Sequence, residues 1–277
     1  MVHPGITVRF WGVRGSIACP GPETVRYGGN TSCVEMRCGE HLLVFDGGSG
    51  LRALGAGLVK APEPPNVDLF FSHTHLDHIG GVPFFAPCYD ARSQIRLWAG
   101  HLRPELGIEA VLNKMMSAPL FPIPIGIFTA ELTFIDFDGG ESLVPHPGIQ
   151  MRTAALNHPN AATGYRVEHD GKVVAYITDT EHKPGRRDRN VLRLVDHADL
   201  MIYDSTYTDA EYPAHRAWGH STWQEGVRLA NAAKVGRLVI FHHDPDHDDA
   251  FMDQVAADAE AARPGTLVAR EGMVLEA

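Results

Sequence analysis

The sequence predicts an α/β protein whose strands are covered on both faces. Two observations carry this. Nine extended segments rich in Val, Ile, Phe and Tyr recur along the chain, and amphipathic helical patterns alternate with them in its second half. The extended segments are 6–11, 32–38, 41–46, 67–72, 95–100, 132–137, 172–179, 199–205 and 237–243. Several hold unbroken apolar runs, such as LLVF, LMIY and LVIF, the pattern of strands packed on each side. Among the helices, 222–234 is well marked: Trp223, Val227 and Ala230 share a stripe, Thr222 caps it with Glu225 three residues on, and Gly236 ends it. A second helix is predicted over 250–263, with Phe251, Val255, Ala259 and Ala262 on one face and Pro-Gly as its stop. A third, over 51–60, is interrupted by Gly55 and Gly57.

At 277 residues the chain is long enough for a substantial core, and with no internal repeat it reads as one domain over 1–277. Twenty-four Lys+Arg against 34 Asp+Glu give a formal charge of −10, so no global basic field draws in nucleic acid or an anionic membrane. No apolar run approaches the ~18 residues of a membrane span, and the first residues lack the apolar stretch of a signal peptide, so the cytoplasm is the expected location. Cys19, Cys33, Cys38 and Cys88 form no CxxC pair and read as reduced thiols. The Pro- and Gly-rich stretch 118–148 reads either as an apolar loop reaching over a site or as a hairpin packed on the core.

The sharpest signal is SHTHLDHIGG (72–81), directly after the strand VDLFF. His73 and His75 are two apart, so in extended backbone they face the same side, and Asp77 and His78 follow where the chain turns. Three imidazoles and a carboxylate within six residues are costly to bury without a cation.

HTHLDH resembles the metal motif of the metallo-β-lactamase superfamily, and the likeness extends over nearly the whole chain. It includes Asp46 before a Gly-rich turn, His158 in ALNHPN, Asp179 in YITDT and His242 in VIFHHDP, where the spacing to Pro245 favours His242 over His243. The resemblance implies a four-layer αββα sandwich of two mixed sheets flanked by helices. It also implies two divalent metal ions: His73, His75, His158 and Asp179 on one, Asp77, His78, His242 and the shared Asp179 on the other. Nitrogen and oxygen donors without thiolate suit Zn²⁺ first and admit Mn²⁺ or Fe²⁺. Di-iron redox relatives carry Glu at the position of His75, so the resemblance implies hydrolysis.

GHSTWQEG (219–226), YDSTY (203–207) and the opening 11–35, with Gly29, Asn30 and Thr31, are similar to the ribonuclease Z and cyclic-phosphodiesterase branch. Carried over, His220 is the general acid and Asp204 its orienting partner, and Asp77 joins them as a catalytic residue. His220 also precedes a capped helix start, where free N–H groups favour an anion. Ribonuclease Z relatives carry a long basic arm between the His and Asp motifs, whereas a short stretch separates His158 from Asp179 here. With the acidic balance, this gives the expectation of a small or cyclic phosphodiester as substrate, with long nucleic acid and membrane not among the partners. A homodimer is compatible with the sequence. Competing readings are an ester, thioester or lactone hydrolase, and a non-catalytic metal-binding carrier of the same fold.

Other charged clusters read as plain surface. DPDHDD (244–249) lacks the ligand spacing of a calcium loop and reads as a helix cap. Arg186, Arg187 and Arg189 could meet phosphate, but a solvated loop is the simpler reading. His3, His41, His101, His169, His197 and His215 stand in polar contexts and are expected at the surface.

Overall fold

A computed structural model describes residues 5–277, which leaves His3 outside the described residues. Two seven-stranded sheets carry the fold. The first contains β1 (Ile6–Gly12), β2 (Cys33–Cys38), β3 (His41–Phe45), β4 (Asn66–Phe71), β5 (Gln94–Ala99), β6 (Glu131–Asp136) and β14 (Val274–Glu276), ordered β14-β1-β2-β3-β4-β5-β6. The second contains β7 (Ser142–His146), β8 (Ile149–Leu156), β9 (Ala162–His169), β10 (Lys172–Ile177), β11 (Leu200–Asp204), β12 (Arg237–Phe241) and β13 (Leu267–Val268), ordered β13-β12-β11-β10-β9-β8-β7. In each sheet one half is antiparallel and the other parallel, the parallel ladders running β3-β4-β5-β6 and β10-β11-β12-β13.

Alternation along the parallel strands sends side chains to two different cores. Phe70 of β4, Trp98 of β5, Ile202 of β11 and Phe241 of β12 face the space between the sheets, where Phe45, Tyr165 and Tyr176 join them. Their neighbours Leu69, Phe71 and Leu97 turn outward onto α1 (Leu51–Leu58) and α3 (Ile108–Met115). On the other sheet, Met201, Tyr203, Leu238 and Ile240 turn outward onto α4 (Arg189–Val195), α5 (Trp223–Ala232) and α6 (Asp249–Ala262). The unbroken apolar runs therefore sit in the middle layers of an αββα sandwich, as the sequence implies. No described helix is long and apolar enough to cross a membrane.

Three predicted helices stand within a few residues of their expected bounds. The extended segments leave out β7, β8, β9 and the short β13 and β14, and no helical pattern marks α3 and α4. Strand β8 exposes Gln150 and Arg152 on its outer side, so its composition is too polar for the apolar-run signal. The stretch 118–148 is not a single hairpin. It supplies β6 at one sheet edge and β7 at the edge of the other, and so carries the chain between sheets.

Candidate metal centre and active site

The carboxyl ends of the parallel strands open at one edge of the sandwich, the place where open α/β sheets gather ligands. Three residues just past strand ends take left-handed backbone: Asp46 after β3 (φ 61°), Asp179 after β10 (φ 55°) and His242 after β12 (φ 63°). For non-glycine residues this conformation is uncommon and costs roughly 1 kcal/mol or more. Here it turns each side chain off its strand into a common centre. After β4, His73 and extended His75 lead into the single turn α2 (Leu76–Ile79), which brings in Asp77 and His78. His158 arrives from the β8–β9 connection.

Two clusters result. In one, His73 Nε2 lies 2.9 Å from His75 Nδ1, and His75 Nδ1 lies 3.1 Å from His158 Nε2. Asp179 Oδ2 is 3.5 Å from His73 and 3.7 Å from His158. In the other, His78 Nε2 is 3.1 Å from Asp77 Oδ2 and 3.3 Å from both Asp179 Oδ1 and His242 Nε2. His242 Nε2 lies 3.4 Å from Asp77 and 3.2 Å from Asp179 Oδ1. Tetrahedral Zn²⁺ with bonds near 2.0–2.1 Å separates its ligands by about 3.3 Å, so both donor sets fit a divalent cation. Asp179 gives one oxygen to each cluster.

The outward nitrogens of His158, His242 and His78 are held by acceptors, which fixes ring orientation and frees the inward nitrogens. His158 Nδ1 donates to the Gly219 carbonyl at 2.8 Å, and His242 Nδ1 meets Thr206 Oγ1 at 3.0 Å. His78 Nδ1 donates to Asp46 Oδ2 at 2.8 Å, and Asp46 is buried and also accepts from Ser72 N, Ser72 Oγ and Tyr176 Oη at 2.7, 2.8 and 2.8 Å. Burial pushes the His73 imidazolium well down, with the neighbouring His78 adding to it. At His78 burial acts the same way but is outweighed by Asp179, Asp77 and Asp46, which hold its proton affinity well up.

Beside the clusters stands His220, buried, its Nδ1 3.1 Å from Asp204 Oδ2. Asp204 also accepts from Thr180 N, Thr206 N and Thr206 Oγ1 at 3.0, 3.1 and 2.8 Å. Burial raises the Asp204 carboxyl, yet the His220 pair and hydrogen bond hold it below its ordinary range. Burial opposes charge on His220 too, but Asp204 overrides it and the imidazolium is pushed up to about 9. The ring lies flat along His242, centroids 4.9 Å apart. The anion-binding expectation for α5 is weakened: Trp223 N already donates to the Tyr207 carbonyl at 3.2 Å and Glu225 N to Thr222 Oγ1 at 3.1 Å.

Every residue singled out in the sequence for the site therefore converges there. Sequence reasoning missed the supports Ser72, Tyr176 and Thr206, and noted Asp46 without a role. His243 points away from the centre, its Nε2 on the Ala269 carbonyl at 2.9 Å. Of the histidines expected at the surface, only His197 is fully exposed; His41, His101, His169 and His215 are half-buried.

Comparison with known proteins agrees with this geometry. The family described as the beta-lactamase superfamily domain matches residues 41–243. The chain is 31% identical over 248 residues to Ribonuclease Z of Lactococcus lactis subsp. cremoris (strain SK11), covering 73% of this chain and 79% of that protein. It belongs to the metallo-β-lactamase superfamily, in the ribonuclease Z branch. Ribonuclease Z of Exiguobacterium sp. is 35% identical over 104 residues, a match spanning 36% of this chain and 32% of that one. Among solved structures, the metallo-beta-lactamase fold protein YhfI from Bacillus subtilis superposes with TM-score 0.73 at 18% identity, covering 99% of this chain and 100% of that one. Human tRNase Z, short form, gives TM-score 0.69 at 20% identity, with 98% of each chain covered. The superfamily member is a metal-binding hydrolase. One expectation is overturned: long nucleic acid cannot be set aside as a partner when the matching relatives are ribonucleases. The β9–β10 connection is indeed only a tight turn at Asp170 and Gly171, but lacking one arm removes one grip, and a net negative charge does not govern local charge.

Proposed function

We propose that the protein is a dinuclear metal-dependent phosphodiesterase, with RNA and small or cyclic phosphodiesters both within its substrate class. The observation that carries this reading is the His220–Asp204 pair beside two donor clusters that share Asp179. His73, His75, His158 and Asp179 Oδ2 would hold one cation, and Asp77, His78, His242 and Asp179 Oδ1 the other, Zn²⁺ being the first choice and Mn²⁺ or Fe²⁺ admitted by the mixed donors. When bound, such cations lower the pKa of water and offset negative charge on a phosphoryl group.

The chain's own residues do the rest. Asp204, ionised by its four donors, keeps His220 Nδ1 protonated and the ring aimed, leaving Nε2 as the nitrogen that carries a proton to a departing alkoxide. Asp77, the remaining catalytic candidate, accepts from the backbone N–H of Ser16 at 2.8 Å, which holds its carboxylate in place.

The test combines metal analysis with a hydrolysis panel of bis(p-nitrophenyl) phosphate, cyclic nucleotides, short RNA, thioesters and lactones. Divalent metal and phosphodiester cleavage are expected. In His220→Ala, turnover on an alkyl leaving group should fall about 10²–10⁴-fold, with p-nitrophenyl esters of phosphate spared more. A fully metallated protein that opens lactones or thioesters but no phosphodiester overturns the reading. So does equal loss on both leaving groups with metal retained, for the role of His220.

A further inference from the structure

Beyond Asp179 the chain forms a compact basic loop. Lys183-Pro184-Gly185-Arg186 is a tight turn: Arg186 N donates to the Lys183 carbonyl at 3.0 Å, and Gly185 supplies the positive φ of 74° that the third position of a type II turn requires. The turn sets Lys183 opposite Arg186, with Arg187 and Arg189 following, all four exposed. They line a hollow of about 240 Å³ that also touches Asn157 and Glu181.

Two facts tie this hollow to the reaction centre. Asn157 precedes the ligand candidate His158, and its side chain donates to the Glu181 carbonyl at 2.6 Å while Glu181 N donates back to the Asn157 carbonyl at 2.8 Å. Lys183 stands four residues past Asp179, so chain reach places its backbone within about 14 Å of the Asp179 backbone.

The hollow's acids form no ion pair with its cations among the described residues, and four cations against the two carboxylates of Glu181 and Asp188 leave the lining net positive. Asp188 accepts from Asn190 N and Val191 N as the cap of α4, and Glu181 accepts from Ala217 N and Gly219 N at 3.0 and 2.9 Å. Ion pairs among the described residues run elsewhere, such as Arg228 with Asp209 and Arg166 with Glu168. A chain of charge −10 thus keeps, among the described residues, four cations outside any ion pair beside its reaction centre. No aromatic ring lines the hollow, so it offers backbone phosphates a seat and bases no stacking surface.

We infer that the loop 183–189 holds backbone phosphates of an RNA strand adjoining the scissile position, and so selects a strand of several phosphates over a lone diester. This rests on the phosphodiesterase reading. The test measures binding of a fluorescein-labelled single-stranded RNA by anisotropy across a salt series, for the whole protein, R186A/R187A, R186K/R187K and the charge control K60A/K234A, whose exposed residues precede β4 and β12 at the opposite edge of the sheets.

In R186A/R187A the Kd should rise roughly tenfold and the slope of log K against log[salt] should shrink by about 1.4, at ~0.7 per lost single-strand contact. The lysine variant should keep most of both and the control should match wild type. KM for RNA should rise with kcat unchanged, and bis(p-nitrophenyl) phosphate turnover should not move. Unchanged Kd and slope in R186A/R187A, or an equal effect in the control, overturns the inference. Loop-dependent RNA binding by a protein that cleaves no phosphodiester would instead sink the phosphodiesterase reading and leave the loop's role standing.

Discussion

Asp46 faces no open space, yet it accepts four hydrogen bonds and holds His78 from behind. Asp46→Asn removes the carboxylate that orients and polarises that imidazole, so metal affinity should fall about 10- to 100-fold, read by competition with a chromogenic chelator. Unchanged affinity would make Asp46 a packing residue only. His101 tests the electrostatics of the same region. Its Nε2 meets Thr74 Oγ1 at 3.2 Å, and burial first, then His75 and His78, press its pKa down to about 4. Since the folded value lies below the unfolded ~6.5, the unfolded chain binds the extra proton between them. Stability is therefore complete above pH 6.5 and is lost as pH falls toward 4, by at most about 3 kcal/mol. His101→Leu should flatten the denaturant midpoint between pH 6.5 and 4; an unaltered slope would assign the acid sensitivity to other groups. Neither role is legible in the sequence, because Tyr176 reaches Asp46 across 130 residues and His101 reaches Thr74 across 27.

Helix α5 and the loop before it work as one element. Thr222 Oγ1 accepts from Glu225 N at 3.1 Å and donates to Asp209 Oδ1 at 2.7 Å, so the cap is tied to the loop after β11. Thr222→Ala should cost about 1–2 kcal/mol. Calorimetry would show this as a Tm lower by roughly 2–6 °C. Gly219 has φ 90°, and a Cβ there would fall on the His158 ring and Pro159. Gly219→Ala should displace His158, lowering both metal content and stability, the latter by more than about 1 kcal/mol. Full metal content in that variant would show that the His158 loop yields. The cap was readable from Thr222 and Glu225 alone, since capping is a contact between near neighbours. The strands β7 to β9 were not, because their alternation is set by a sheet whose other members lie far along the chain.

Across the whole molecule, the donor clusters join segments from residue 73 to residue 242 and both sheets, so bound metal should act as a cross-link of the fold. A cation at a thousandfold its Kd adds about 4 kcal/mol per site. Chelation should then lower Tm by roughly 8–16 °C for each site emptied, and added metal should restore it. A Tm indifferent to chelator would mean that the clusters hold no cation in the native protein. By itself the sequence determined the apolar strands, the capped helices and the HTHLDH segment, because periodicity, capping and a two-residue spacing are properties of adjacent residues. Through likeness to a family it also indicated the distant ligand candidates. Only the tertiary structure decided how Asp179 divides its oxygens, what holds each imidazole from behind and where the arginines of the 183–189 loop gather. Those depend on strand ends that meet through packing, a relation that no local stretch of sequence encodes.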